Sequence, residues 1–229
     1  MRVAQRSIAA APRTGAEAVG KAETILAAAE RAFLASGFGA VSMDQVAREA
    51  GASKATVYAH FTGKEELFGA VVARVSERRF GGFSAEALDP RDIERSLTTI
   101  ATRFLDLILS PEAIALNRII IGEVTRFPAL ARVFWAAGPE RSRAQIEAFL
   151  SRAAAAGTLT IADPRIAAEQ FAALARGEIH YRSLLQPGER ADAAALRAAA
   201  SAAVATFLRA FAAHGCAAGS QGRDRVSPV

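Results

Sequence analysis

The chain has 229 residues, 52% of them hydrophobic and 22% charged, with a formal net charge of +5 and a single cysteine. That length can bury a sizeable core, either as one large domain or as a small head on a larger body. Cys216 alone excludes an intramolecular disulfide, no Cys/His cluster has metal-ligand spacing, and no uninterrupted apolar run reaches membrane-spanning length.

Residues 1–20 mix Ala, Arg, Ser and Gly without periodicity and read as a disordered arm; the tail 214–229 reads the same way. The start MRVAQRSIAAAPRTG is broken by Pro12 and makes a poor secretory signal, which together with the lone cysteine fits a reducing cytoplasm. Between arm and tail alanine dominates and β-branched alternation is absent, so summed propensity favours helix. Helix-start signals recur at Ser42, Ser53, Thr62, Asp89-Pro90, Ser110-Pro111, Gly138-Pro139, Asp163-Pro164 and Asp192. They partition the chain into helices over 21–36, 43–50, 54–60, 64–80, 91–109, 111–126, 140–156, 164–185 and 192–213, with a short one at 128–136. The first three are short and closely linked; the later ones are long and apolar. The expected fold is all-α, with a three-helix head at 21–66 and a larger helical-bundle body at 67–213.

From Met43 to Phe61 the sequence MDQVAREAGASKATVYAHF has the spacing of a helix-turn-helix. Ala47 is small where two helices cross, Gly51 falls in the turn where a positive φ is needed, and Val57 locks the second helix onto the first. Ser42 with Gln45, and Thr62 with Glu65, make two capping boxes that fix the register. With Val57 and Phe61 inward, Ala55 and Ala59 point straight out, with Thr56 and Tyr58 on their shoulders. A face so small at its centre can lie deep in a major groove, where alanine and threonine methyls meet thymine methyls. Lys54, Tyr58, His60 and Lys64 border that face within reach of phosphates, and Ser42, Met43 and Ser53 sit at the helix N-termini that favour anions. The expected DNA-binding set is therefore Ser42, Met43, Ser53, Lys54, Ala55, Thr56, Tyr58, Ala59, His60 and Lys64. The basic excess leans towards this head, as a polyanion partner would favour. Arg2, Arg6 and Arg13 read as part of a solvated tail, with minor-groove insertion as the alternative.

In the body Phe104, Ile108, Leu116, Ile120, Phe127, Trp135, Phe149 and Phe171 fall on apolar faces that a helical core needs, and a pocket between helices would use the same lining. Polar candidates for such a pocket are Arg118, Glu123, Arg176, Glu178, His180 and Tyr181, but for each a surface or interface salt bridge is the favoured reading, and no single effector-binding residue is singled out. Enzymatic signatures are missing: there is no Gly-x-Ser-x-Gly elbow, phosphate-cradling glycine loop or His-Glu-x-x-His. No catalytic residue, cofactor or metal is expected.

The stretch TILAAAERAFLASGFGAVSMDQVAREAGASKATVYAHFTGKEELF, residues 24–68, resembles the head of the TetR family of regulators. The combination of Gly51, Ser53-Lys54, Tyr58, His60-Phe61 and Lys64-Glu65 carries that resemblance; Ala55 and Ala59 depart mildly from the family pattern and bear on operator sequence. The segments LILSPEAIALNRIIIGEVTRFPALARVFWAAGPER at 107–141 and AAEQFAALARGEIHYRSLL at 167–185 are similar to the AefR-like branch of the family. The resemblance implies a homodimer on a pseudo-palindromic double-stranded DNA operator, held by a four-helix interface from about 164–185 and 192–213. It further implies an effector pocket in the body whose small-molecule ligand releases a repressor, the message passing between 64–80 and 111–126. The apolar, alanine-rich body with its aromatics hints at a hydrophobic ligand, though an ordinary core explains the same composition. An activator or effector-independent DNA binder, and a helical enzyme or carrier with a vestigial head, are the alternatives.

Overall fold

The computed structural model describes residues 15–81, 85–188 and 191–213, so most of the expected arm, with Arg2, Arg6 and Arg13, and the tail with His214 and Cys216 lie outside the described residues. The chain divides into two compact units that meet between Val71 and Val72, rather than at 66/67.

The first unit holds α1 (Gly15–Ala40), α2 (Met43–Glu49), α3 (Lys54–His60) and the start of α4 (Lys64–Ser76). Helix α1 begins inside the expected arm, because the alanines and glutamates of 16–23 extend it upstream. It is interrupted where the sequence places its end: Gly37 adopts φ 78°, a conformation that only glycine takes cheaply. Past that break Phe38 folds back onto Phe33 and Phe68, with ring centroids 5.8 and 5.6 Å away, and Phe33 meets Phe68 at 5.3 Å. All three rings are fully buried, and with Ile25, Val46, Val57 and Leu67 they make the core of the head.

The second unit continues α4 through a wide π-helical turn, Glu77–Gly81, so the expected helix 64–80 changes its winding at Glu77. There follow α5 (Ile93–Ile108), α6 (Pro111–Glu123), α7 (Pro128–Ala137), α8 (Pro139–Ala155), α9 (Pro164–Leu185) and α10 (Ala193–Phe211). The short helix expected at 128–136 is α7. Side-chain caps at Ser110, Asp163 and Asp192 start α6, α9 and α10. Asp89 is different: its carboxylate closes a turn onto the Arg91 amide, and α5 starts only at Ile93.

Helices α5, α8, α9 and α10 pack together around Phe104, Leu105, Phe149, Phe171, Val204 and Phe207. Leu159 pairs with Ala212 in a single bridge that ties the α8–α9 connection to the end of α10. By length and composition α10 could cross a membrane, a property the search for uninterrupted apolar runs missed because Arg197 and Arg209 punctuate it. In the fold it lies along α5 and α9. Helix α9 is broken at Gly177, where φ is 45°.

Candidate DNA-reading head and ligand cavity

Helix α2 ends in a Schellman motif: the Ala52 amide donates to Ala47 O at 3.0 Å and the Gly51 amide to Arg48 O at 3.2 Å, with Gly51 at φ 60°. This turn sets α3 against α2 with Val46, Ala47 and Val57 buried between them. Ser53 caps α3, its Oγ accepting from the Thr56 amide at 3.0 Å. What α3 leaves outward is Lys54, Ala55, Tyr58 and Ala59, all exposed.

Three expected members of the site take other positions. Thr56 is buried, not on the shoulder of the face, and its hydroxyl lies 2.8 Å from the Ser53 hydroxyl, so its side chain completes the N-cap. The helical wheel misplaced it because a seven-residue helix docks with a broad buried stripe that takes in position 56 as well as Val57 and Phe61. Met43 is buried at the start of α2, leaving its backbone amide as the group that can meet a phosphate. Lys64 points back into the head: its ammonium donates to Phe38 O at 2.8 Å and Val41 O at 2.9 Å and stands 4.3 Å from the centre of the Phe38 ring. It thus ties the last turn of α1 and the link to α2 to the start of α4.

The capping chemistry also shifts. Ser42 Oγ accepts from the Gln45 amide, but the Gln45 side chain turns forward to Glu49 and leaves half a capping box. At α4 it is Glu66, not Glu65, that reaches back, accepting from both the hydroxyl and the amide of Thr62 at 2.6 and 2.7 Å. Those two bonds, the hydroxyl's first, hold the Glu66 carboxyl below its ordinary range.

Lys54 is held by a partner that sequence spacing did not suggest. Its ammonium lies 2.9 Å from Asp44 Oδ1, ten residues earlier on α2, and 5.9 Å from the Tyr58 ring. The hydrogen bond to Asp44, then its charge, raises the lysine above its usual value. His60 is half-buried beside Phe61, while Ser42 and Ser53 are exposed residues at their helix starts, their hydroxyls engaged as caps.

The second unit holds an open-sided cavity of about 460 Å³ between α4, α5, α6, α7, α8 and α9. Phe104, Leu107, Leu116, Phe134 and Trp135 make its apolar walls. Of the six polar groups read from the sequence, only Arg176 and His180 line it. Arg118 instead caps the end of α9, donating to Ser183 O and Leu184 O at 2.8 and 2.9 Å, and Glu178 pairs with Arg182 on the surface. Glu123 and Tyr181 lie off the lining, Tyr181 exposed. Arg143, Asn117, Ser142 and Ser76 line the cavity and were missed, since each looks like an ordinary surface residue of an amphipathic helix. Burial pushes the His180 imidazole down, and the charge of Arg176 pushes it further, to about 4. Among the described residues no group of three or more His, Cys, Asp or Glu could hold a metal ion.

A glycine-turned helix pair with a small outward face, and a separate helical unit holding an apolar cavity, define a helix-turn-helix regulator. Residues 25–71 match the TetR family of bacterial regulatory proteins, and residues 95–213 match the AefR-like transcriptional repressor C-terminal domain. The chain belongs to the TetR family of transcriptional regulators. The HTH-type regulator SrpR of Pseudomonas putida is 34% identical over 111 residues, covering 48% of this chain and 50% of SrpR, so the match spans about half the length of that relative. Among solved structures, a TetR-family regulator from Mesorhizobium loti is 30% identical with a TM-score of 0.73, covering 87% of this chain and all of its own. The flavonoid-responsive regulator FrrA is 33% identical with a TM-score of 0.69, covering 86% of this chain and all of FrrA.

Proposed function

We propose that this protein is a cytoplasmic homodimeric repressor whose two heads read the half-sites of a pseudo-palindromic operator and whose body binds a hydrophobic small molecule that releases it. The observation that carries the DNA-binding part is the outward face of α3: Ala55 and Ala59 are flat enough for close approach to base edges, and Lys54 and Tyr58 flank them towards the phosphates. Ser42, Ser53, His60 and the Met43 amide add backbone contacts around them; Lys64 and Thr56 support the reading face from within.

The effector part rests on the cavity, whose volume and aromatic walls suit a drug-sized apolar ligand. The likeness to FrrA, a flavonoid-responsive regulator, supports an aromatic effector for this chain. Val72, Val75 and Ser76 on α4 line the cavity, and α4 is the helix that begins in the head. Arg79, just past α4, pairs with Glu112 on α6 at 3.2 Å, which supports a message passing between these two elements. A ligand that binds one arrangement of α4 better than another shifts operator affinity by that difference. Dimerisation through α9 and α10 is supported by the exposed Ile166, Leu174, Tyr181 and Leu185 of α9 and by α10, an apolar helix of which 22% is buried in the monomer.

The test is selection of bound genomic fragments at moderate salt, followed by affinity titration with and without aromatic small molecules. Enrichment of an inverted repeat whose affinity falls on adding a ligand supports the reading. A folded dimer that enriches no sequence overturns it.

A further inference from the structure

The polar lining of the cavity is unequally satisfied. Asn117 Nδ2 donates to Ala113 O and Ser142 Oγ to Gly138 O, each within its own helix neighbourhood. Arg143 is met by Glu147 and Glu140 on α8, and Glu169 by Arg165 on α9. Arg176 is left without a carboxylate partner among the described residues, at the exposed rim of the cavity. One turn further along α9 stands His180, partly buried, and between the two lies the Gly177 break.

A guanidinium with no carboxylate partner, near enough to the His180 imidazole for its charge to act on it and set in the lining of a largely apolar cavity, matches a ligand with a planar anionic head and an aromatic body. Arginine's fork fits a carboxylate with two parallel hydrogen bonds, which an amide of the same outline cannot reproduce. The aromatic lining residues Phe104, Phe134 and Trp135 offer ring faces and edges for stacking. We propose that the cavity binds a planar aromatic monocarboxylate, its rings against Trp135 and Phe134 and its carboxylate on Arg176, with His180 alongside as a hydrogen-bonding partner.

This inference rests on the cavity being the effector site, and it adds the charge of the ligand. The uncharged state of His180 near neutral pH agrees with it, since a neutral ring N–H can donate to a carboxylate without a second positive charge being buried.

The experiment titrates the full chain calorimetrically with 2-naphthoate and with 2-naphthamide, which share an outline and differ in charge. Trp135, the only tryptophan in the sequence, reports by its emission whether either probe enters the cavity. Naphthoate is expected to bind about tenfold more tightly than naphthamide, the difference of one charge-assisted bidentate contact at a partly solvated rim. Arg176→Met should bring naphthoate down to the affinity of naphthamide without moving naphthamide, and Arg176→Lys should recover part of the preference. Equal affinities in the native chain, or a preference that survives Arg176→Met, overturn the carboxylate assignment. If both probes also quench Trp135, the cavity stands as a ligand site. If neither binds at millimolar concentration, the cavity reading and the carboxylate assignment fall together.

Discussion

The ammonium of Lys64 lies 2.9 Å from the carbonyl oxygen of Val41, across 23 residues of sequence, while also donating to Phe38 O at 2.8 Å. A lysine at the start of α4 therefore holds the chain reversal between α1 and α2. Lys64→Met leaves both carbonyls short of a charged donor and should cost the head about 1.5–3 kcal/mol, the range for hydrogen bonds to charged groups. Denaturant unfolding of the variant is the check. A residue serving only as a phosphate contact would weaken operator binding and leave the unfolding midpoint where it was.

Asp44 holds Lys54 in an exposed pair beside the reading face, and a phosphate arriving there must compete with that carboxylate. Asp44→Asn removes the competitor and one negative charge facing DNA. Operator affinity should rise about three- to tenfold at low salt, with a steeper dependence on salt concentration, as expected when a lysine is freed to displace counter-ions. Titrations at several salt concentrations measure both effects; an unchanged affinity would place Lys54 off the DNA.

Thr56 and Tyr58 separate capping from reading. Thr56→Val removes a buried hydroxyl that pairs with Ser53, so it should lower head stability by about 1 kcal/mol, as for a weakened cap, and leave base preference unchanged in a selection from random operators. Tyr58→Ala removes an exposed ring, 44% accessible, and should weaken binding across sequences with the melting temperature unmoved.

The helix-turn-helix was legible because its signals are local: Gly51 needs a positive φ, Ser53 caps the next helix, and Ala47 is small at the crossing. The same holds for most boundaries in the body, where Ser110, Asp163 and Asp192 cap within three residues. The role of Lys64 was hidden, because its partners lie 23 and 26 residues away in the chain and come together only in the folded head. Arg118 was hidden in the same way: its spacing on α6 fits a pocket, yet its bonds go to the end of α9, 65 and 66 residues on. Helix periodicity tells which way a side chain faces on its own helix, not which carbonyl stands opposite.

His180 makes stability depend on pH in one direction. Its folded-state pKa of about 4 lies below the ordinary 6.5, so between those values the unfolded chain binds a proton that the folded cavity excludes. Stability from this residue is fully present above about pH 6.5 and falls as pH drops towards 4. His180→Asn should flatten that part of the profile, so that the native chain loses more melting temperature between pH 7 and pH 5 than the variant does. The charge of Arg176, which also depresses His180, is present in both proteins and drops out of the comparison.

Gly51 tests the turn of the head without disturbing its packing. It sits at φ 60°, and a Cβ built there meets nothing within 4 Å, so a substitution adds backbone strain and no clash. Gly51→Ala should therefore destabilise the head by about 1 kcal/mol, the usual cost of an L-residue in the left-handed region. Gly51→Asn should lose less, since asparagine tolerates that conformation. Because the side chain points into open space, both variants should keep native operator affinity at temperatures well below their melting points. A loss of affinity in a fully folded Gly51→Ala protein would instead place this turn against DNA.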